Sequence, residues 1–374
     1  MHIPWCERKC PYCDFNSHEN FNPALESPYI DALLTDLASQ TEAAARRELV
    51  AIFIGGGTPS LFSDKGIGRL LTGINKLVRL SANCEITLES NPGSAEAQKF
   101  EGLRAAGVNR LSIGVQSFAD QQLSLLGRIH TASDARRACD LAARHFDRFN
   151  IDLMHGLPRQ NLQSALVDLT EGIERTGGHL SWYQLTIEPN TVFYSKPPLI
   201  PVEDVLADIQ DAGEALLSNA GLAQYEVSAW ALPKQASLHN VNYWEFGDYL
   251  GIGAGAHGKL THSDGSVVRT RRTRLPVDYL TSIQERKPTI DTLIGTNHLP
   301  GEFMLNALRL KAGVASELFE QRTGVKLAQL TPTLATLHER GLLMSVDSGR
   351  LQTSPLGFRF LNEVLAAFLP DTQA

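Results

Sequence analysis

The stretch VAIFIGGGTPS, from Val50 to Ser60, is a β-branched apolar run that ends in glycines and small polar residues. Comparable stretches recur along the first half of the chain and begin at Cys84, Asn109, Asp147 and Leu180. Between them, segments such as Tyr29 to Ala45 and Ile67 to Val78 have apolar residues three and four positions apart, which predicts helices. Strand, polar loop and helix in alternation predict an α/β fold with a parallel sheet. With the opening HIP segment there are six such units, which favours a partial, open (β/α)6 barrel over eight-fold closure.

The polar ends of these units carry most of the residues that could do chemistry. Parallel α/β folds bind ligands at the C-terminal ends of their strands, so these ends should meet at one edge of the sheet. They comprise a cysteine-containing loop near the N-terminus, Gly55 to Ser60, Glu89 to Pro92, Gln116, and Asp152 to Pro158. Each of them alone is typical of an ordinary turn. Together they predict a shared site.

The pattern changes after Pro189, where PPLIP at 197–201 interrupts the chain and a helix is predicted from Val202 to Ala220. Strand-like segments follow, with the sequences YEVSAW, HNVNYW, YLGIGAGAHG and VVRTRRT. From Leu299 onward, short helices and a hairpin around Asp347 to Gly349 resemble a winged-helix module. We therefore predict a partial barrel over 1–190, a connecting α/β segment over 191–298 and a winged-helix-like domain over 299–374.

Charge and hydropathy narrow the range of partners. The chain has 34 basic and 41 acidic residues and a formal net charge of -7, which opposes general affinity for nucleic acid or anionic membranes. From residue 299 onward seven basic residues balance seven acidic ones, which is unlike the basic surface of a DNA-binding module. No apolar run approaches the roughly 20 residues of a membrane span, and MHIPWCERKC is neither a signal nor a transit peptide. These features predict a cytoplasmic protein without a nucleic-acid or membrane partner.

Three of the five cysteines lie close together, in the pattern Cys6-x3-Cys10-x2-Cys13. Three thiolates suit a 4Fe-4S cluster in which one iron remains open to a substrate or cofactor. The alternative is a zinc site completed by His2 or His18, although the spacing is too short for a two-knuckle zinc site. The other two cysteines, Cys84 and Cys139, lie in a predicted strand and a predicted helix, where a small buried apolar side chain is the ordinary role.

The segment CERKCPYC resembles the CxxxCxΦC signature of radical S-adenosylmethionine (SAM) enzymes. In that superfamily the open iron chelates the amino and carboxylate groups of the cofactor, and reductive cleavage of its sulfonium gives a 5'-deoxyadenosyl radical. The run Gly55-Gly56-Gly57-Thr58 resembles the glycine-rich loop that binds the methionyl amino group in these enzymes. A glycine run alone is weak evidence, but here it follows a matching cysteine motif.

Further contacts to SAM are implied by similarity to the porphyrin-related branch of the superfamily, namely Glu89, Gln116, Arg128 and Asp152. A zwitterion with a ribose needs an acceptor, an amide and a cation that converge from different strands, and these residues supply them. The family also has a tyrosine two residues before the position of His2, and this chain begins at Met1. We therefore expect a shortened first strand, from truncation or a late start codon, with consequences for cofactor affinity.

Across nearly its whole length the chain resembles the HemW group of haem chaperones, which are related to the oxygen-independent coproporphyrinogen III oxidases. The oxidases have a fourth cysteine in a Cys-x-Cys ending, where this chain has Asp14 and Phe15, and HNVNYW reproduces the HNxxYW motif of the HemW group. The resemblance implies haem binding, transfer to haem-accepting proteins such as respiratory haem proteins, and compatibility with a cluster-linked dimer. The alternatives are a radical enzyme that decarboxylates a tetrapyrrole and a winged-helix redox regulator.

Two histidines are candidate haem ligands. In HNVNYW, His239 would be an axial ligand, with Tyr243 and Trp244 stacked on the macrocycle. The alternative is a half-buried hairpin with both aromatic rings in the core, and the resemblance favours haem. His257 in GIGAGAHG is the second candidate, because its glycines provide either room for a macrocycle or a tight bend. Four arginines suit the propionates, although a solvated edge strand is the more ordinary role for most of them, since alternation places only half on either face: Arg269, Arg271, Arg272 and Arg274.

Overall fold

The structure is a computed structural model that describes residues 1–44, 47–286 and 290–369. Two positions named above, the helix end at Ala45 and the domain end at Ala374, lie outside these ranges.

An eight-stranded sheet in the order β1-β2-β3-β4-β5-β6-β8-β7 forms the centre of the molecule. The strands are β1 His2–Ile3, β2 Leu49–Gly56, β3 Leu80–Ser90, β4 Arg110–Gln116, β5 Phe149–His155, β6 Gly178–Gln184, β7 Ala223–Glu226 and β8 Ala229–Ala231. The first six are parallel, as the sequence predicts. The last two extend the sheet antiparallel beyond β6. The predicted six-unit partial barrel is therefore confirmed.

Helices cover the outer face of this sheet. The helices up to residue 219 are α1 Glu26–Ala38, α2 Thr41–Ala44, α3 Asp64–Leu77, α4 Ser94–Ala97, α5 Phe100–Ala105, α6 Asp120–Leu125, α7 Ala132–His145, α8 Leu162–Arg175, α9 Val192–Ser195 and α10 Glu203–Asn219. Of these, α9 lies against the loop after β1, where the Phe193 N–H donates to the Pro11 carbonyl at 3.0 Å. The Ser63 side chain caps α3 by accepting a hydrogen bond from the Gly66 N–H. Ile67, Leu70 and Ile74 of α3 are buried at helical spacing, each contributing about 1.5–3 kcal/mol.

The connecting segment contains α11 Leu238–Trp244, β9 His257–Thr261, β10 Val267–Arg271, α12 Pro276–Gln284 and β11 Ile290–Leu293. The prediction of a strand at HNVNYW is wrong, because these residues form α11. The carboxylate of Glu85 accepts a hydrogen bond of 3.0 Å from the Leu238 N–H and so holds the beginning of the helix. Four-residue spacing puts His239 and Tyr243 on one face, with ring centroids 6.1 Å apart.

The segment GIGAGAHG packs against β1, at the edge of the eight-stranded sheet. The His2 N–H donates to the Ile252 carbonyl at 2.9 Å, and Tyr29 Oη donates to the His2 carbonyl. Gly253 has a φ of +103°, and a Cβ there would lie 2.2 Å from the His2 carbonyl oxygen. These glycines therefore accommodate the backbone of β1, and the tight bend, rather than room for a macrocycle, accounts for them.

The C-terminal part is helical and packs around a second hydrophobic core, which includes Phe303, Phe319, Leu337 and Val364 and is shared with Phe246 and Val267 of the connecting segment. Its elements are α13 Leu299–Ala307, β12 Val314–Ala315, α14 Ser316–Thr323, α15 Thr331–Glu339, β13 Arg350–Leu351, α16 Pro355–Arg359 and α17 Leu361–Ala366. The predicted hairpin is present, because Leu343 and Thr353 pair across a turn at Val346–Ser348. Within the described ranges, no helix is long and apolar enough to cross a membrane.

Candidate cofactor site

The loop that follows β1 carries the three clustered cysteines. The Cys6 N–H donates to the His18 carbonyl at 2.9 Å, which brings the two ends of the loop together. Trp5 is buried and packs edge-on against Tyr29, with ring centroids 4.8 Å apart. With its base anchored in the core, the loop presents three partly exposed thiols, those of Cys6, Cys10 and Cys13.

These thiols line a cavity of about 1420 Å³ at the C-terminal ends of the strands. The cavity brings together nearly all the residues that the sequence analysis assigned to the cofactor site: Cys6, Cys10, Cys13, Gly56, Gly57, Thr58, Glu89, Gln116, Arg128 and Asp152. Gly55 packs behind the wall, where a Cβ would lie 2.8 Å from Glu89 Oε2. Residues from six different strands and loops therefore meet around one space.

The glycine-rich loop lies directly against the cysteine loop. The Thr58 N–H donates to the Trp5 carbonyl at 2.6 Å, and a Cβ on Gly57 would lie 2.4 Å from that oxygen. Only glycine at residue 57 permits this approach. Next to it, the Gly56 N–H donates to Glu89 Oε2 at 3.0 Å. The glycines thus fix the position of the cysteine loop relative to the half-buried carboxylate of Glu89.

Arg128 places a cation beside the thiols. Its Nη1 lies 3.4 Å from Cys10 Sγ, and its Nη2 donates to Asn91 Oδ1 at 2.6 Å and to the Gly114 carbonyl at 2.9 Å. In the described part of the chain, the buried Nε of Arg128 has no hydrogen-bond partner. A guanidinium held in this way stabilises thiolate or carboxylate charge in the cavity.

Gln116 is the last residue of β4 and has a φ of +68°, which is left-handed backbone for a residue other than glycine. Tyr183 Oη donates to Gln116 Oε1 at 2.7 Å, which leaves the amide N–H groups of Gln116 as donors. The sequence analysis did not identify Tyr183. Strand alternation was the available signal, since Ser181 and Tyr183 lie on the same face of β6.

Two half-buried acids, Glu89 and Asp152, lie in the cavity wall. Asp152 accepts hydrogen bonds from Asn150 Nδ2 at 2.7 Å and from Ser112 Oγ at 3.1 Å. Burial raises the pKa of both carboxyls, and for Glu89, with Asp152 nearby, the pKa rises to about 7. A ligand that brings positive charge or hydroxyl donors would stabilise both carboxylates.

The raised pKa of Glu89 makes the stability of the protein without cofactors depend on pH. Above pH 4.5 an unfolded chain has lost the Glu89 proton that the folded chain retains up to about pH 7, so stability falls across this window. We expect wild type to lose about 2–3 kcal/mol of unfolding free energy relative to Glu89→Gln between pH 4.5 and 8. Urea unfolding at each pH measures this, with Glu363→Gln as an exposed control. Parallel wild-type and Glu89→Gln curves would contradict the expectation.

The donor set fits a multi-iron cluster better than a single ion. Among the residues described, no three His, Cys, Asp or Glu side chains are close enough to hold one metal ion. The zinc alternative lacks support from His2, whose Nε2 is 2.8 Å from the Asn16 carbonyl oxygen. A cluster spreads its ligands because each thiolate binds a different iron. Three separated thiols facing one space, with Arg128 beside them, match that requirement.

The C-terminal domain supplies the far wall of the cavity, through side chains that include Lys311, Phe358 and Arg359. Lys311 Nζ donates to Gln224 Oε1 at 2.6 Å, and Arg359 pairs with Asp211 of α10 at 3.0 Å. The sequence analysis did not assign these residues to the site. The volume exceeds the 300–1,000 Å³ that is usual for one small ligand.

His239 lies toward the opposite end of the barrel. Its Nδ1 is 2.8 Å from Ser237 Oγ, and its ring stacks on Phe53 with centroids 4.2 Å apart. It lines a second cavity, of about 470 Å³, together with Tyr243 and Tyr249. The third residue of the predicted haem site, Trp244, packs under the Arg309 guanidinium, 4.4 Å from the ring centroid.

His257 is exposed on β9 and lies opposite Arg271 of β10. The four arginines predicted for propionates do not form one surface. Arg272 is buried and forms an ion pair with Asp36 at 2.6 Å, so it is not available to a propionate. Arg269 forms an ion pair with Glu302 at 2.5 Å.

Comparison with known proteins gives the same class as the fold and the site. Residues 1–169 match the radical SAM superfamily, and residues 297–360 match the HemN C-terminal domain. The solved structure of coproporphyrinogen III oxidase (HemN) from Escherichia coli has the same fold, with a TM-score of 0.83 at 23% identity. The similarity covers 100% of this chain and 89% of that one. The protein is therefore a radical SAM superfamily member.

The sequence relatives narrow this class. The chain is 46% identical to the haem chaperone HemW of Escherichia coli (strain K12) over 372 residues, covering 99% of this chain and 97% of that protein. It is equally similar, at 46% identity and the same coverage, to the haem chaperone HemW of Haemophilus influenzae (strain ATCC 51907 / DSM 11121 / KW20 / Rd). The chain belongs to the HemW family of haem chaperones.

Proposed function

We propose that this chain is a cytoplasmic protein that binds haem and transfers it to acceptors such as respiratory haem proteins, with a 4Fe-4S cluster and SAM in the barrel. The observation that carries the proposal is the similarity to haem chaperones along nearly the whole chain. A dimer linked through the cluster is part of the proposal.

The cluster and SAM belong in the larger cavity. Cys6, Cys10 and Cys13 would hold three irons, and the loop Gly55 to Thr58 would face the methionyl amino group. Glu89, Gln116, Arg128 and Asp152 would bind the remaining polar groups of SAM. When bound, the cluster supplies the electron that reductive cleavage of SAM requires. The protein's part is to hold the thiols, to orient the Gln116 amide and to keep Arg128 beside the ligand's negative charge.

For haem, His239 is the first candidate ligand and His257 the second. Ser237 already engages Nδ1 of His239, and Nε2 has no hydrogen-bond partner among the residues that the structure describes. Nε2 is therefore the ring atom left for iron. Tyr243 and Tyr249 line the same cavity and offer aromatic walls, whereas Trp244 would have to leave Arg309 to join them.

We predict that His239→Ala shifts or abolishes the Soret band of the haem-loaded protein. The triple alanine variant of Cys6, Cys10 and Cys13 should retain the band, because those thiols lie in the other cavity. Spectroscopic haem titration of the three proteins measures this, with His257→Ala in parallel. An unaltered spectrum in His239→Ala, together with lost binding in His257→Ala, would make His257 the ligand instead.

A second candidate function is a radical enzyme that decarboxylates a tetrapyrrole. Its support is the coproporphyrinogen III oxidase fold and the part of the larger cavity that reaches Lys311 and Phe358. Product analysis after anaerobic reconstitution and reduction separates the two functions. Haem recovered unchanged supports the chaperone, and tetrapyrrole that has lost carboxyl groups supports the enzyme.

A further inference from the structure

Four hydrogen bonds inside the barrel connect α11 with the wall of the larger cavity. Asn240 Nδ2 donates to Tyr225 Oη at 3.1 Å, and Tyr225 Oη lies 2.9 Å from His179 Nε2. His179 Nδ1 lies 2.7 Å from Asn150 Oδ1, and Asn150 Nδ2 donates to Asp152 Oδ1 at 2.7 Å. These four bonds form a hydrogen-bond chain from Asn240 to Asp152. One end of this hydrogen-bond chain is in the HNVNYW segment, and the other is the carboxylate proposed to contact SAM.

The donors of this chain all point the same way. The Asp152 carboxylate accepts, so Asn150 turns its NH2 group toward it and its oxygen toward His179. His179 Nδ1 must therefore carry the proton. Burial lowers the pKa of His179 well below its usual range, so the ring is neutral and Nε2 accepts from Tyr225. Aligned donors polarise one another, and each bond is strengthened by the next.

The chain runs through a closed interior. Asn150 is 2% exposed and His179 is 3% exposed, so water cannot replace a lost link cheaply. Glu85 holds the same end of α11, because its Oε1 accepts from the Leu238 N–H at 3.0 Å. The helix that carries His239 is therefore attached to the barrel interior through polar groups as well as through the stacking of His239 on Phe53, and the geometry of those polar groups depends on their partners.

We propose that a ligand on Asp152 is coupled to α11 through this chain, with His179 and Tyr225 as positioning residues. A hydroxyl donated to Asp152 orders the carboxylate and thus the Asn150 amide, and the order is passed through His179 and Tyr225 to Asn240. The inference rests on the proposed SAM site. If haem binds His239 as proposed, each ligand changes the affinity for the other by the same factor.

Hydrogen exchange of the α11 backbone amides, measured with and without saturating SAM in the cluster-reconstituted protein, tests the coupling. We expect SAM to slow exchange in α11 by at least about fivefold in wild type. Tyr225→Phe keeps the ring and removes the hydroxyl, so SAM should still bind while α11 no longer responds. Tyr279→Phe is the matched control, since it removes a buried tyrosine hydroxyl that is bonded to Asp36 and takes no part in the hydrogen bonds between Asn240 and Asp152. It should respond like wild type.

A wild-type response in Tyr225→Phe, or no response in wild type despite bound SAM, would overturn the coupling. Asn240→Ala breaks the chain at α11 and provides the same test if Tyr225→Phe does not fold. SAM binding is measured separately in every protein. Absence of SAM binding in wild type would overturn both the proposed SAM site and the coupling. Bound SAM without a change of exchange in α11 would overturn the coupling alone.

Discussion

Cys10→Ala is expected to abolish cluster binding, with the iron and sulfide retained after anaerobic reconstitution falling by more than about tenfold. Cys10 is the central thiol of the loop and lies 3.4 Å from the Arg128 guanidinium, so its loss removes one of the three proposed cluster ligands and leaves that cation without its sulfur partner. Cys6→Ala and Cys13→Ala should behave in the same way. Iron analysis and the visible absorption of the cluster measure the effect.

The remaining cysteines are the matched controls. Cys84 and Cys139 are both buried, and burial raises the pKa of their thiols to about 11 and about 12, so they remain protonated apolar groups. Cys84→Ala and Cys139→Ala should retain the iron of wild type. Equal loss of iron from Cys84→Ala and Cys10→Ala would show that the three-thiol assignment is wrong.

Asp36→Ala is expected to lower the free energy of unfolding by about 3–5 kcal/mol, because it leaves a buried guanidinium without its partner. Asp36 and Arg272 are 2% and 8% exposed, and Arg272 Nε lies 2.9 Å from both carboxylate oxygens. Tyr279 Oη also donates to Asp36 Oδ2 at 2.8 Å. Urea unfolding of the protein without cofactors measures the loss.

An exposed ion pair provides the comparison. Asp211 and Arg359 have side chains that are 59% and 55% exposed, so Asp211→Ala should cost less than about 1 kcal/mol. If Asp36→Ala lowers the free energy of unfolding no more than Asp211→Ala does, the buried ion pair does not stabilise the fold as its geometry indicates.

The barrel could be predicted from sequence because its signals are local. Most of the parallel strands lie in apolar runs that end in polar residues, as Val50 to Ser60 shows. The pattern of apolar residues predicted a strand at HNVNYW where the structure has a helix, because six residues are too few to distinguish a two-residue period from a helical one. The contact that starts α11 comes from Glu85, more than 150 positions earlier in the chain, and local patterns do not contain it.

The residues of the candidate site that lie at strand ends, such as Glu89, Gln116 and Asp152, could be predicted from the sequence. The residues that form hydrogen bonds to these side chains and orient them were missed, since such roles depend on which residues are neighbours in the folded structure. Tyr183 orients Gln116 from another strand, and His179 reaches Asn150 across β5 and β6. Arg272 was considered for propionates, and its ion pair was missed because its partner Asp36 is 236 positions away, which charge patterning along the chain does not reveal.

The contact between GIGAGAHG and β1 has a consequence for biosynthesis. Strand β1 is two residues long, and the bond from His2 to Ile252 forms only after about two thirds of the chain has been made. At about 5–20 residues per second, the cysteine loop waits roughly 10–50 seconds on the ribosome for this partner. During that time its thiols are open to oxidation and to stray metals. We therefore expect productive cluster delivery to follow translation of the connecting segment rather than to accompany emergence of the cysteines.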